Sequence, residues 1–306
     1  MARTLHAAIG PQGGQSVNRF VRTAPGPSIG GHPPGEDDKP LAANGQIVYS
    51  HTFGLYDRRT RGKWFLFGST RNGQGMKPSK RHPNRRAHNW LIYDMLDAFL
   101  LGHTDLYRGA IYDLGCGSAP YREFFTQYAD SYIGIDWAES YHDLKADIVA
   151  DLNQPIPVES ESADAVVCLS VLEHVYAPQT LLDEAHRILK PDGALVLEVP
   201  WQWWLHERPH DYFRYSPYGL RHLLGKAGFG EVQIEPQGGF CTMCVLKANY
   251  FSARFIRGPR ALRWLIRHLL AVLWWLGQCV APLLDRLDID WTLESCGYFV
   301  TARRRP

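Results

Sequence analysis

Short apolar runs recur through the middle of the chain, and segments with helical periodicity separate them. Residues 110–112, 132–135, 165–169 and 194–199 are four such runs. Strands that are apolar along their whole length are typical of a parallel sheet that is buried on both faces. The pattern therefore predicts an α/β domain in which strands alternate with helices.

Helical periodicity is clearest between the third and fourth runs. Pro178 can occupy the first turn of a helix there, and Pro191 and Gly193 are expected to end it. The apolar residues between them fall on one stripe with a period of 3.6, namely Leu181, Leu182, Ala185, Ile188 and Leu189. The same reasoning predicts helices over 86–101 and 216–225, and strands over 231–235 and 297–303.

A glycine turn follows the first apolar run. Asp113-Leu-Gly115-Cys116-Gly117 leads from that run into a helix-like segment at 121–125. Glycines let backbone N–H groups come close to a ligand, and the carboxylate before the turn can accept from a cationic group. The second run ends in Asp136, where a carboxylate can accept from both hydroxyls of a ribose. Together they predict a binding site for a charged cofactor.

The turn is not that of a dinucleotide-binding protein, because Pro120 stands where the third glycine of that motif would be. The Asp-x-Gly-Cys-Gly form, with an acid closing the second strand, resembles class I S-adenosyl-L-methionine (SAM)-dependent methyltransferases. The resemblance continues in family order through 147–157, 163–175 and 182–200, and it is to the type 11-like group that acts on small molecules and glycans. It implies an α/β fold with a Rossmann-like seven-stranded methyltransferase sheet flanked by helices, and a helical insertion before the last strand.

The resemblance also implies the cofactor, SAM, which would leave as S-adenosyl-L-homocysteine. Gly115, Cys116 and Gly117 would line its methionine part, with Asp113 near the amino group. Asp136 would hold the ribose with Trp137 beside it, and Ser170 would meet the methionine end through its backbone. Asp151 would bind the adenine amino group and Leu152 the adenine ring. Asp147 is an alternative to Asp151 under a shifted alignment.

Composition narrows the partners and the compartment. The 306 residues are 45% hydrophobic, enough for one large core. The net charge of +2 argues against a globally basic nucleic-acid binder, so a nucleic-acid partner is not the first expectation. The small-molecule acceptor that we expect instead is what the resemblance implies. Six cysteines in a chain without a secretory segment do not indicate a disulfide framework. We therefore expect a reducing, cytoplasmic location.

Five segments are predicted along the chain. They are a flexible N-terminal arm at 1–48, a helical cap segment at 49–106, the SAM-binding core at 107–240, a helical insertion at 241–295, and the last strand with a basic tail at 296–306. The insertion contains an apolar stretch at 261–284. A cap on the core or on a second subunit of a homodimer is the first expectation for it. Peripheral contact with a membrane is the second and a transmembrane helix the third.

The candidate catalytic residues lie mainly in segment 201–215, which follows the strand ending near residue 200. Ligands bind at that edge of an open α/β sheet. A base would help a hydroxyl acceptor lose its proton, and histidine suits this at neutral pH. We rank His210 first, His206 second and His174, after the preceding strand, third. Asp211 would orient or assist whichever acts.

Residues 206–210 also match H-E-x-x-H, a zinc-protease pattern that requires both histidines on one helical face. Pro209 opposes such a helix. Cys241 and Cys244 form a lone C-x-x-C, so no metal site is predicted. The expected function is O-methylation of a hydroxyl on a sugar or natural product. An RNA or protein methyltransferase, a non-catalytic SAM-binding protein and, more distantly, a zinc metalloprotease remain alternatives.

Overall fold

The structure, a computed structural model, describes residues 77–139 and 143–305. It also describes a short antiparallel pair of strands, Ala42–Ala43 with Gln46–Ile47. That pair belongs to a unit of residues 1–56, and every element below belongs to a second unit, residues 57–306. Apart from this pair, the predicted arm at 1–48 lies outside the described residues, as does the cap segment up to residue 76.

A seven-stranded mixed sheet forms the centre of the second unit. Its strands are β1 (Ala110–Leu114), β2 (Ser131–Asp136), β3 (Ile148–Val149), β4 (Ala163–Leu169), β5 (Leu189–Pro200), β6 (Phe229–Pro236) and β7 (Gly297–Arg304). The helices are α1 (Trp90–Gly102), α2 (Arg122–Phe125), α3 (Pro178–Ile188), α4 (Pro217–Lys226), α5 (Phe240–Ala253) and α6 (Arg260–Asp285). The predicted Rossmann-like α/β fold is confirmed.

The order of the strands across the sheet is β3-β2-β1-β4-β5-β7-β6. Strands β1 to β5 are parallel, and β7 runs antiparallel between β5 and β6. The chain therefore leaves β1 toward one edge of the sheet and returns to its other side with β4. Such a reversal opens a crevice at the carboxyl ends of β1 and β4, where α/β sheets bind ligands.

Both faces of the sheet are covered by apolar side chains, which explains the continuous apolar runs. Leu195 and Leu197 of β5 point to one face and pack with α3 and α4. Ala194 and Val196, which alternate with them, point to the other face and pack with α1. On that second face the rings of Phe99 and Phe299 stack with centroids 4.6 Å apart.

Three element boundaries differ from the sequence prediction. Strand β5 begins at Leu189 rather than 194, because Leu189 pairs with Ala163 before a register shift, so Pro191 and Gly193 lie within β5. Helix α1 begins at Trp90 rather than 86, since Asn89 accepts a hydrogen bond from the Arg86 amide in a turn. The helix after the glycine turn is a single turn, Arg122–Phe125.

The insertion at 241–295 contains α5 and α6 packed as a helical hairpin. The carboxylate of Asp285, at the end of α6, accepts hydrogen bonds from the amides of Gly239, Cys241 and Thr242 at the start of α5. The buried side chain of Gln278 accepts from the Leu91 amide and donates to the Ala87 carbonyl. These polar contacts fix one face of α6 to α5 and to the α1 region.

The opposite face of α6 is exposed and largely apolar. Among the described residues, α6 is the helix that is long and apolar enough to cross a membrane, judged by length and composition alone, and 17% of its most apolar window is buried. The insertion therefore covers the body of the protein with one face, as a cap would, and presents the other face outward.

Candidate functional site

The glycine turn after β1 passes directly beside the loop after β4. Gly115 has a φ of +78°, and a Cβ at this position would lie 2.3 Å from a methyl group of Val171. Only glycine combines this backbone conformation with this approach. The Gly115 amide donates to the Ile135 carbonyl at 2.7 Å, which joins the turn to the end of β2.

Asp136 is held at the mouth of the crevice by backbone amides. One carboxylate oxygen accepts from the Gly117 amide at 2.6 Å and the other from the Trp137 amide at 2.7 Å. The side chain is 7% exposed, so its orientation is fixed. The residue lines the crevice, where a carboxylate can also accept from the hydroxyls of a ligand.

Asp113 is buried below the turn and accepts a hydrogen bond from the Tyr132 hydroxyl. Burial raises the pKa of Asp113 to about 7, and the charge of Asp136 adds to the increase, although the Tyr132 hydrogen bond opposes it. Near neutral pH the carboxyl is therefore divided between its protonated and ionised forms, and a nearby cationic group would favour the ionised form.

A cavity of about 680 Å³ opens at this edge of the sheet. All nine predicted cofactor-binding residues line it, namely Asp113, Gly115, Cys116, Gly117, Asp136, Trp137, Asp151, Leu152 and Ser170. Asp147 is not among the lining residues. Its carboxylate instead accepts from Arg122 and from the Gly134 amide, each at 2.7 Å. Of the two alternatives left open by the sequence, the structure therefore brings Asp151 to the cavity.

Two of the predicted catalytic histidines meet in the same cavity. The Nε2 atoms of His174 and His206 lie 3.2 Å apart, beside the carboxylate of Glu173. Burial would by itself lower the pKa of His206, but the carboxylates of Glu173 and Asp211 outweigh it, so this pKa is raised. The surroundings of the two rings therefore attract positive charge.

His210, which the sequence ranks first, lies elsewhere in the cavity. Its ring packs edge to face on Trp137, with centroids 5.1 Å apart, and its Nδ1 lies 3.1 Å from the Tyr212 hydroxyl. Residues 206–210 form a turn instead of a helix, so the two histidines of the H-E-x-x-H pattern do not share a helical face. The geometry of a zinc protease is absent from this segment.

Asp211 does not line the cavity but holds the segment in place. Its carboxylate accepts from the His206 amide at 2.9 Å and pairs with Arg214. Partial burial would raise the pKa of Asp211, but the hydrogen bonds from Arg214 and from the His206 amide keep it below its usual value. Asp211 thus joins the backbone at His206 to Arg214.

Several lining residues were not among the predicted site residues. Glu173 is fully buried between the two histidines. Glu198 accepts from the Ser170 hydroxyl, and burial, with the charge of Glu173, raises its pKa to about 7. A lone carboxylate near the end of an apolar strand could have marked Glu198. Trp204 and Tyr250 form an aromatic wall with ring centroids 3.6 Å apart, but Tyr250 comes from α5, and no local pattern predicts that contact.

Comparison with known proteins identifies the central part of the chain. Residues 112–197 match the family described as "Methyltransferase domain". The ubiquinone biosynthesis O-methyltransferase of Pseudomonas aeruginosa (strain LESB58) is 32% identical over 140 residues, 42% of this chain and 54% of that protein. The enzyme of the same name from Neisseria meningitidis (serogroup A / serotype 4A, strain DSM 15465 / Z2491) is 29% identical over 125 residues, 36% of this chain and 50% of that protein. The chain thus spans about half the length of the curated relatives it matches.

The chain also aligns with solved structures. A SAM dependent methyltransferase from Archaeoglobus fulgidus is 18% identical, with 69% of this chain and 93% of that chain covered and a TM-score of 0.45. Residues 112–197 match the methyltransferase-domain family, and over these residues the predicted resemblance to class I SAM-dependent methyltransferases is confirmed.

The raised pKa of Asp113 leads to a first prediction. In the unfolded chain this carboxyl ionises near pH 4, whereas the folded protein keeps it protonated to about pH 7, so its contribution to stability is lost as the pH rises between those values. The amide introduced by Asp113→Asn cannot ionise. From pH 4.5 to pH 8 the stability of the variant should therefore improve by about 3 kcal/mol relative to wild type.

Urea unfolding at both pH values measures this change. Asp164→Asn is the control, because the Lys190 hydrogen bond lowers the pKa of Asp164 despite partial burial, so its titration lies below this window. The stability of this control relative to wild type should be the same at both pH values. A constant difference between Asp113→Asn and wild type would contradict the assignment of a protonated Asp113.

Proposed function

We propose that this chain, whose residues 112–197 form a methyltransferase domain, is a SAM-dependent methyltransferase that acts on a hydroxyl group of a small molecule. The observation that carries the proposal is one cavity with two chemically different ends. The glycine turn, Asp113 and Asp136 line it at the ends of β1 and β2, and Glu173, His174 and His206 line it after β4 and β5; we call these two parts its ends.

The first end fits SAM. The cavity volume of about 680 Å³ falls within the usual range of roughly 300–1,000 Å³ for small-molecule sites. Asp136 offers acceptors for the ribose hydroxyls, and Asp113 offers a carboxyl that ionises when a cationic amino group approaches. Pro120, which also lines the cavity, replaces the glycine that a pyrophosphate-binding turn would need.

When bound, SAM supplies an activated methyl group on a positively charged sulfur. The residues of the chain orient it: Gly115 and Gly117 let the backbone come close, and Leu152 gives the adenine an apolar surface beside Asp151. Ser170, fixed by its hydrogen bond to Glu198, borders the methionine part. Methyl transfer is a direct displacement, so alignment of the two reactants supplies much of the rate.

The second end receives the acceptor. We place the acceptor hydroxyl beside His206 and His174, since this cluster attracts positive charge and can accept the proton that leaves the oxygen. His206 therefore takes the first rank that the sequence gave to His210. His210 packs against Trp137, next to the ribose-binding Asp136, and we assign it to the nucleoside side of the cavity.

The aromatic wall of the cavity and the names of the curated relatives support one class of acceptor. Trp203, Trp204 and Tyr250 provide flat apolar surfaces for a ring, which suits a sugar or a cyclic natural product. The curated relatives are named O-methyltransferases, which supports oxygen as the methylated atom. An RNA or protein acceptor and a SAM-binding protein without activity are the competing functions.

Two substitutions separate binding from turnover. His206→Asn should bind SAM within about twofold of wild type but lose about 10²–10⁴-fold in methyl transfer, because it removes one acceptor-side group. Asp136→Asn should lose both binding and transfer, because an amide cannot accept from both ribose hydroxyls while it holds the Gly117 amide.

Calorimetry measures SAM binding, and transfer of a radiolabelled methyl group measures turnover on a panel of sugars, phenols, lipids and RNA. Labelling of RNA alone would favour the nucleic-acid alternative. SAM binding without transfer to any member of the panel would favour a non-catalytic protein, and equal turnover by His206→Asn would contradict the proposed acceptor site.

The α5–α6 hairpin has features of a surface that contacts a membrane. Residues 241–284 contain no Asp or Glu, and five arginines, 254, 257, 260, 263 and 267, surround the tip of the hairpin. The tip also exposes apolar rings, with Phe255 59% and Trp264 61% exposed. Apolar rings among cations fit an anionic membrane surface. We therefore propose peripheral membrane contact through this tip, while Gln278 and Asp285 keep α6 from leaving the body to cross the bilayer.

Vesicle sedimentation tests this contact. Wild type should bind phosphatidylglycerol vesicles, bind phosphatidylcholine vesicles much more weakly, and be released by salt. Trp264→Asp should weaken binding by about tenfold or more. Leu287→Asp, at an exposed position beyond the far end of α6, is the matched control and should bind as wild type does. Failure of wild type to bind, or a concentration-dependent dimer that Trp264→Asp dissolves, would contradict a membrane partner.

A further inference from the structure

Three side chains at the acceptor end of the cavity form a nearly regular triangle. The Nε2 atoms of His174 and His206 are 3.2 Å apart. The Oε1 atom of Glu173 lies 3.5 Å from Nε2 of His174 and 3.7 Å from Nε2 of His206. These atoms belong to loops that follow β4 and β5, so the fold of the sheet brings them together.

The hydrogen bonds of the two rings fix where their protons lie. Nδ1 of His174 is 2.8 Å from the His210 carbonyl, and Nδ1 of His206 is 3.2 Å from the Trp204 carbonyl. A carbonyl oxygen can only accept, so each Nδ1 carries hydrogen. In the neutral rings each Nε2 then carries a lone pair, and the two lone pairs face each other. This arrangement is repulsive unless a cation lies between them.

A cation at this place would also stabilise the carboxylate of Glu173. Its side chain is fully buried, and neither carboxylate oxygen makes a hydrogen bond within the part of the chain that the structure describes. A buried carboxylate without hydrogen bonds is costly, and buried charges are normally paired or bound to a metal. The amides of Tyr212 and Phe213 donate to the main-chain carbonyl of Glu173, which locks its loop against segment 206–213.

The triangle has the dimensions of one face of a tetrahedral metal site. With metal–ligand bonds of about 2.0–2.1 Å, two ligands of a tetrahedral ion lie about 3.3–3.5 Å apart. Donation of the second ring nitrogen to a backbone carbonyl is also what orients metal-binding histidines. Two imidazoles and one carboxylate suit a first-row transition ion such as Zn²⁺ better than Mg²⁺ or Ca²⁺.

We propose that Glu173, His174 and His206 bind a divalent transition-metal ion at the acceptor end of the cavity. This inference reverses the expectation that the chain has no metal site, and it rests on the proposed function for the use of the ion. The ligand set is not the H-E-x-x-H pair, because His210 lies against Trp137. It joins residues 173 and 174 to residue 206, a spacing that matches no local zinc motif.

Three protein ligands leave a fourth position of the ion open toward the cavity, as in catalytic metal sites. An ion held there would coordinate the acceptor oxygen and lower the pKa of its hydroxyl, so that the proton passes to water. The oxygen would then form its bond to the methyl carbon as the bond from that carbon to the sulfur of SAM breaks. Glu207 also lies close to this cluster, with its Oε2 3.8 Å from Nε2 of His174.

Metal titration of the full chain tests the site directly. After dialysis against a chelator, wild type should take up one Co²⁺ per chain with the visible absorption of a tetrahedral ion, and Zn²⁺ should displace it. His206→Ala and Glu173→Gln should each weaken uptake by at least about 100-fold. His210→Ala should bind Co²⁺ as wild type does, because only its main-chain carbonyl supports the site.

The outcomes are distinct from those of the proposed function. Absence of Co²⁺ uptake by wild type, or unchanged uptake by His206→Ala, would overturn the metal site, and a single proton shared by the two rings would then be the remaining explanation of their geometry. If Glu173→Gln does not fold, His206→Ala decides the test, because its ring is partly exposed at the cavity. Methyl transfer at full rate after metal removal would leave the function standing and remove the role of the ion. Metal uptake without transfer to any acceptor would leave the metal site standing and contradict the proposed function.

Discussion

The ligand-binding edge of this protein depends on how closely the backbone at Gly115 passes Val171. A side chain at residue 115 would overlap the Val171 methyl groups, and its φ of +78° is unfavourable for any residue with a Cβ. Because the contact is made by backbone on one side, the turn after β1 and the loop after β4 share one wall of the cavity. This backbone contact therefore makes the proposed cofactor end and the proposed acceptor end neighbours in the fold.

The loop after β4 transmits this constraint to the acceptor end. Ser170 precedes Val171 and donates to Glu198 of β5, while Glu173 and His174 follow it. Segment 206–213 is held against the same loop by the Tyr212 and Phe213 amides and by the His174 contact to the His210 carbonyl. Five strand ends thus supply the lining of the cavity: β1, β2 and β3 for the proposed cofactor end, and β4 and β5 for the proposed acceptor end. All of these contacts except the Ser170–Glu198 hydrogen bond involve backbone atoms.

Local patterns in the sequence were enough to predict the fold and to name residues that line the proposed cofactor end of the cavity. The apolar runs, the glycines and the strand-end carboxylates lie within a few residues of one another, so periodicity and turn chemistry identify them. The start of β5 was missed because Leu189 is recruited by pairing with Ala163, a contact between distant residues that outweighs the helical stripe. The acceptor end was only partly found for the same reason: Glu173 meets His206 across 33 positions of sequence. Composition also left the role of residues 261–284 open. The hydrogen bonds of Gln278 and Asp285 show that one face of α6 is attached to the α1 region and to α5.

Calorimetric titration with SAM and NAD, side by side, tests the central claim that the glycine turn and its carboxylates hold an activated methyl donor. Wild type and Gly102→Ala, a helical position where an added Cβ meets nothing within 4 Å, should bind SAM and not NAD. Gly115→Ala should bind SAM at least about tenfold more weakly, because the turn must move away from Val171. Binding of NAD in preference to SAM, or unchanged SAM binding by Gly115→Ala, would contradict the account.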